Sequence, residues 1–281
     1  MKRLHLCCLL AAAGLIAKSN ASFFDDFNTP GSFQLNYNVY QNTATPTVSF
    51  TGSPYTQSAT SGVGGSGGID VLAPATGITP DSTAINKTQS FDFSQSGTTL
   101  TISAFMKAIA PTETGNRMLQ LGFVNDATSG MNGNAGLAFT SMRFNPTAIG
   151  SMTFAPQWQT KTAAGGTVNT TVTPNITFVQ NDWYLMSLSF VNNGGGAIGG
   201  SGFVQDMGVD GTTPGAITTI TSANLTSADI AADATVFAAF RSFHNDGVAT
   251  LDNFSAVPEP STMALFGAAS AGLLMLRRRR A

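Results

Sequence analysis

Three aspartates are the side chains best placed for polar chemistry in this chain. Asp25 and Asp26 stand in Phe23-Phe24-Asp25-Asp26-Phe27, and Asp252 stands in Leu251-Asp252-Asn253-Phe254, near the far end of the sequence. If the first and last strands pair, these carboxylates converge, and carboxylates with backbone carbonyls make the hard oxygen shell that Ca²⁺ takes. The same residues also suit strand ends, where aspartate accepts local backbone N–H groups. A structural calcium at Asp25, Asp26 and Asp252 therefore stands beside the plainer reading, and no other cofactor is expected.

Other constellations fall short of a reaction. His244, in Phe243-His244-Asn245-Asp246-Gly247, sits at a turn, and no G-x-S-x-G elbow supplies a nucleophile for it. Glycoside hydrolysis needs two acids about 5–10 Å apart. Yet the only glutamate before the last 25 residues, Glu113, lies in the turn Pro111-Thr112-Glu113-Thr114-Gly115, and loop solvation accounts for Asp206 and Asp210. Gly62 to Gly68 lacks the lysine and helix of a phosphate loop. No catalytic residue is expected. Trp158, between Gln157 and Gln159, is the candidate platform for stacking on a sugar ring, with core or edge packing as its other reading. Trp183 opens an alternating strand and reads as core.

The elements that would position these residues are strands. In Thr99-Leu100-Thr101-Ile102-Ser103-Ala104-Phe105-Met106 the even positions are apolar; Leu119, Leu121 and Phe123, then Tyr184, Met186, Leu188 and Phe190, then Val236, Ala238 and Phe240 repeat the period of two. Gly/Asn/Asp turns separate the runs at Asn125-Asp126, Gly130 to Gly136, Asn192 to Gly200, Asp210-Gly211 and Asn245 to Gly247. Phe33 to Tyr40 reads as strand-like, Ser58 to Gly68 as a long loop, and only residues 224–234, around Ala228 to Ala232, as a helical turn. No fixed-period repeat argues for a solenoid or propeller. Short strands between glycine-rich turns predict an all-β sandwich in one domain, residues 22–256.

Charge and cysteine restrict the function further. Residues 22–256 hold six basic residues against fourteen acids, a net charge of −8, so no basic face for nucleic acid is expected. The two cysteines, Cys7 and Cys8, both precede residue 22, which leaves the body without a disulfide, thiolate zinc site or cysteine nucleophile.

The two ends read as processing segments. Lys2 and Arg3, an apolar stretch from Leu6 to Ala17, and Ser19-Asn20-Ala21 form a signal peptide over residues 1–21, with cleavage between Ala21 and Ser22. At the other end Pro258-Glu259-Pro260 is expected to break any incoming strand, because proline cannot donate to a ladder. Met263 to Leu276 is an uncharged apolar stretch of 14 residues, short for a stable span and adequate for a transient one. Arg277, Arg278, Arg279 and Arg280 then hold the terminus on the cytoplasmic side.

In these three parts and this order, residues 257–281 resemble the PEP-CTERM sorting signal. The resemblance implies that an integral-membrane exosortase recognises the Pro-Glu-Pro element and removes the tail. The partners it implies are exosortase and the export machinery. The body would pass through the inner membrane to the cell surface or extracellular matrix, in a setting rich in extracellular polysaccharide. The aromatic-acid strings at both ends of the body, with Trp183-Tyr184-Leu185, are similar to the concanavalin-type or LamG-type jelly roll. The expected protein is a non-catalytic, lectin-like surface component associated with polysaccharide. A glycan-active hydrolase on the same scaffold and a purely structural envelope protein are the alternatives.

Overall fold

The computed structural model describes residues 22–42, 47–51, 53–71, 81–111, 119–128, 130–131, 138–242 and 248–259. The signal peptide, the apolar tail and its arginines lie outside them. The strands are β1 (Phe23–Asp25), β2 (Tyr37–Asn42), β3 (Thr47–Val48), β4 (Tyr55–Ser58), β5 (Gly68–Val71), β6 (Asp81–Phe91), β7 (Thr99–Ala108), β8 (Leu119–Val124) and β9 (Phe139–Pro146). They continue as β10 (Thr153–Lys161), β11 (Thr167–Thr171), β12 (Ile176–Thr177), β13 (Trp183–Gly194), β14 (Ala197–Asp206), β15 (Ile217–Thr226), β16 (Val236–Ser242) and β17 (Val248–Glu259). Two short helices, α1 (Ser32–Asn36) and α2 (Ala228–Ala231), complete the described elements.

The strands form two antiparallel sheets packed face to face. Sheet I runs β15-β14-β13-β7-β17-β5-β4, with β1 also on β17; sheet II runs β11-β10-β9-β8-β16-β6-β2-β3, with β12 on β10. The all-β sandwich is as expected, and so is the pairing of the first and last strands, with Phe23 opposite Ala256 and Asp25 opposite Phe254.

Period-two side-chain alternation explains the core. Leu100, Ile102, Ala104 and Met106 of β7, with Tyr184, Met186, Leu188 and Phe190 of β13, point from sheet I into one cluster. Sheet II answers with Leu121, Phe123, Met142, Phe144, Phe154, Trp158 and Phe240. Phe190 joins the two layers, edge-on to Phe123 at 5.7 Å and to Trp158 at 5.6 Å between ring centroids. Such pairs add about 0.5–1.5 kcal/mol beyond the area they bury.

Two local expectations are corrected and one is sharpened. Phe33 to Tyr40 is a helical turn followed by a strand. Gly31 turns the chain in with φ 79°, and α1 brings Phe33 and Tyr37 together at 5.0 Å on the core side. The stretch Ser58 to Gly68 closes a hairpin: Ser58 pairs with Gly68, and only the residues between them loop out. Finally, β17 is not broken by Pro258. It runs on to Glu259, with Pro258 opposite Leu100 and Glu259 opposite Thr99. Beyond the Phe23–Ala256 pair, β7 is the only neighbour of β17 among the described residues, and a sheet edge tolerates proline.

Candidate functional site

The outer face of sheet II carries a line of polar side chains. Because Leu121, Met142, Trp158 and Phe240 point into the core, their chain neighbours Gln120, Arg143, Gln157 and Arg241 point the other way. The pairings set them in register across six strands: Thr83, Arg241, Gln120, Arg143, Gln157 and Thr171 stand opposite one another in turn. At the usual spacing between strands this row spans about 24 Å. The next row holds Gly122, Ser141, Gln159 and Asn169.

Hydrogen bonds tie the rows together. Arg143 Nε donates to Gln157 Oε1 at 2.6 Å, and Gln157 Nε2 donates to Thr171 Oγ1 at 3.0 Å. Gln120 Nε2 donates to Ser141 Oγ and to Gln159 Oε1, both at 2.7 Å, and Gln159 Nε2 donates to Asn169 Oδ1 at 2.7 Å. Arg241 Nη1 donates to Gln120 Oε1 and to the carbonyl of Met131.

One half of this face is covered and the other is open. Over β16 and β6, Met131 packs with Tyr40, Ile85, Val124, Phe139 and Ala239, and its N–H donates to Thr83 Oγ1. Gly130 passes so close that a Cβ there would lie 2.6 Å from the Tyr40 ring. Towards β11 the cover thins: Arg143 is still buried at 6 % exposed, Gln157 and Asn145 are half-buried, and Thr171 and Asn169 are exposed. Three of the six basic residues between 22 and 256 lie on this face, namely Arg143, Lys161 and Arg241, and none of the positions in these rows is a carboxylate. Burial lowers the Lys161 pKa, and the nearby Asp229 works against that. The electrostatic character is a cationic, amide-lined strip on an acidic body.

A concavity of about 470 Å³ opens beside sheet I and is lined by residues including Gly64, Gly65, Lys107, Trp183 and Asp210. Trp183, expected in the core, is buried instead on the outer face of sheet I: its neighbour Tyr184 points into the core cluster, and Lys107 Nζ lies 5.9 Å from the Trp183 ring centroid. Asp206 Oδ1 accepts the Gly208 N–H and Asp210 Oδ1 the Thr212 N–H, so both shape turns.

The aspartates expected to converge on calcium take chain donors. Asp25 Oδ1 accepts the Phe27 N–H and its Oδ2 the Asn36 amide; Asp26 Oδ1 accepts the Asn28 N–H. Asp252 Oδ2 accepts the Val63 N–H and the Ser66 hydroxyl, and its Oδ1 the Asn253 N–H. Burial raises the Asp252 pKa, those hydrogen bonds oppose it, and the Asp26 charge adds to the rise. Among the described residues no group of three or more His, Cys, Asp or Glu side chains is placed to hold a metal ion.

Trp158 is corrected outright as a sugar platform: it is 0 % exposed, its ring edge-on to Phe190 and its Nε1 donating to the Thr221 carbonyl at 3.0 Å. Of the processing residues, Ser22, Pro258 and Glu259 are described, whereas Ala21, Pro260 and Arg277 to Arg280 lie outside the described residues, as do Glu113 and His244. Ser22 is exposed, one step before the Phe23–Ala256 pair. The polar rows went unnoticed in the sequence, although Gln157-x-Gln159-x-Lys161 against Phe154-x-Pro156-x-Trp158 carries their period.

Fold and tail together define an exported β-sandwich addressed to the cell envelope. Residues 256–280 match the PEP-CTERM protein-sorting motif, which marks the chain as an exosortase-targeted exported protein. Among the described residues no helix is long and apolar enough to cross a membrane. A comparison with curated protein sequences gave no match. The fold is similar to that of the marine PL-14 alginate lyase from Aplysia kurodai, at 11 % identity and TM-score 0.54 over 86 % of this chain and 100 % of that one. It is also similar to lectin II from Ulex europaeus, at 10 % identity and TM-score 0.50 over 86 % of this chain and 100 % of that one. The sandwich is thus of the lectin-like jelly-roll kind.

Proposed function

We propose that this protein, once exported and cut by exosortase, is a surface or matrix component that binds acidic polysaccharide without turning it over, on the open half of the polar row. The observation that carries this is the in-register sequence Arg143, Gln157, Thr171 at the outer end of a row whose own positions include no carboxylate, in a body of net charge −8. A guanidinium forks onto a carboxylate through two parallel hydrogen bonds, and amides exchange hydrogen bonds with sugar hydroxyls. An extended chain laid across the strands would meet a new polar side chain at every strand spacing, about 4.8 Å. The reading is non-catalytic because guanidinium, amide and hydroxyl groups do not trade protons near neutral pH. That a lyase named for alginate and a lectin share the architecture is consistent with a carbohydrate ligand and no more specific than that.

Affinity electrophoresis in gels containing a uronate polymer or a neutral glucan tests it. The wild-type protein is expected to be retarded by the uronate polymer alone. Arg143→Gln is expected to lose at least about tenfold in affinity, the usual loss with a charged hydrogen bond. Equal retardation in both gels, or an unchanged Arg143→Gln, would refute the site. New chain ends accumulating in the polymer would refute the absence of turnover.

A further inference from the structure

The first two residues of the Pro-Glu-Pro element, Pro258 and Glu259, belong to the folded body. Val257, Pro258 and Glu259 are the last three residues of β17, opposite Thr101, Leu100 and Thr99 at the start of β7. Glu259 Oε1 lies 2.6 Å from Thr101 Oγ1, which in turn lies 2.7 Å from Ser189 Oγ. A hydroxyl has one hydrogen and an ionised carboxylate only accepts, so Thr101 donates to Glu259 and accepts from Ser189. The glutamate of Pro-Glu-Pro is thereby the end of a three-member chain that crosses β13, β7 and β17. Pro258 is half-buried on the opposite side of the strand.

We infer that this strand end is a latch: the folded body withholds Pro258-Glu259 from the membrane protease, and cutting requires the last three residues of β17 to peel from β7. This rests on reading the tail as an exosortase substrate. A protease site must engage the backbone and side chains around its recognition element, and here β7 occupies one edge of that backbone while Thr101 occupies the glutamate. The latch is also weak by construction. Val257 is 40 % exposed, Glu259 is exposed, and the pairing of β17 with β1 ends at Ala256, so among the described residues only the β7 ladder holds the segment. Strand ends with few buried contacts open at a small fraction of the global unfolding cost. The partner that profits is one that captures the peeled strand. The body therefore sets the rate of its own release, with Thr101 as the positioning residue.

The test uses the full-length precursor expressed with its exosortase, followed by intact mass. Thr101→Val is expected to be processed about threefold to tenfold faster, the size expected for one partly exposed hydrogen bond to a charged group. A Thr101→Cys/Val257→Cys pair joins directly opposed residues. Its oxidised form is expected to stay uncut, and dithiothreitol to restore cutting. Processing of the oxidised form at the wild-type rate would overturn the latch, as would Thr101→Val cut no faster than wild type. Hydrogen exchange on the purified precursor gives a readout independent of the protease: a peptide covering 250–259 is expected to exchange more slowly than its unfolded rate at Val257 and Glu259. Exchange at the unfolded rate there overturns the latch even if the tail is cut. If the single variant Val257→Cys is never cut while exchange is slowed, the sorting reading is what fails, and gating of processing falls with it.

Discussion

Asp252 Oδ2 accepts the backbone N–H of Val63 at 2.9 Å, joining the last strand to a glycine-rich loop 189 positions earlier. The loop Ala59 to Gly67 has no apolar side chain anchored in the core; it is held by donors. The Ser66 hydroxyl also reaches Asp252 Oδ2, the Gly62 N–H reaches the Ser66 carbonyl, and the Gly67 N–H reaches Asn28 Oδ1. A carboxylate accepting several such donors does what a bound cation would do for a set of carbonyls: it fixes loop geometry from one buried charge.

Asp252→Ala is therefore expected to cost about 2–4 kcal/mol in urea unfolding, since it orphans buried N–H groups that shared a charged acceptor. Because the chain's own donors already occupy that carboxylate, millimolar calcium is expected to leave the melting temperature of the wild-type protein unchanged. A calcium-dependent rise that disappears in Asp252→Ala would restore the metal reading of Asp25, Asp26 and Asp252.

Much of the sandwich was legible, for a local reason. Alternation in Thr99 to Met106 and in Tyr184 to Phe190 reports which face is buried, and both strands bury those residues. The same rule decides between the two readings of Trp158 in favour of packing. Its polar neighbours Gln157 and Gln159 point to the opposite face, so they argue for its burial rather than its exposure. The polar rows were illegible because register is non-local: Gln120, Arg143, Gln157 and Arg241 meet only through the order β16-β8-β9-β10, which no local pattern encodes. Phe33 to Tyr40 shows a second limit, where a left-handed Gly31 and an aromatic cluster outweigh strand propensity.

Trp158 also explains a glycine. A Cβ on Gly200 of β14 would lie 3.0 Å from ring carbons Cε3 and Cζ3 of Trp158 in the facing sheet. Gly200→Ala is expected to destabilise by about 1–3 kcal/mol through overpacking, and Trp158→Ala by about 3–5 kcal/mol through the cavity it leaves. In a Trp158→Leu background the Gly200→Ala penalty is expected to shrink, because the residues are in contact. Equal penalties in both backgrounds, measured by urea unfolding, would show that Gly200 is conserving something other than space for the indole.

Alkaline stability should depend on two buried phenols. Burial pushes the Tyr184 hydroxyl up to about 12 from an ordinary 10.0, against a hydrogen bond from the Val179 N–H that lowers it. Burial, followed by the charge of Asp25, raises Tyr37 well above the same value. Below pH 10 both phenols are protonated whether folded or unfolded, and their contribution to stability is complete. Above it the unfolded chain ionises first, so stability falls with rising pH until the folded groups titrate. The melting temperature is expected to decline between pH 10 and 12, less steeply in Tyr184→Phe, with Tyr37 maintaining the remaining slope. An identical slope in Tyr184→Phe would remove Tyr184 from the account.

Salt dependence can separate a seated guanidinium from a diffuse charge effect on the polar strip. Charges interacting through water lose most of their attraction once the screening length falls to about 8–10 Å, near 0.1–0.15 M salt. Arg143 stands at the inner end of the open half, 6 % exposed and oriented by Gln157, so a carboxylate reaching it is largely shielded from solvent. Uronate binding is accordingly expected to weaken with salt and then level off, retaining a component that survives 0.5 M sodium chloride. Arg143→Lys keeps the charge and loses the planar fork; it should abolish the surviving component while leaving the low-salt attraction nearly intact. If Arg143→Lys and the wild type follow one salt curve, the strip attracts polyanions by charge alone and no carboxylate is seated there.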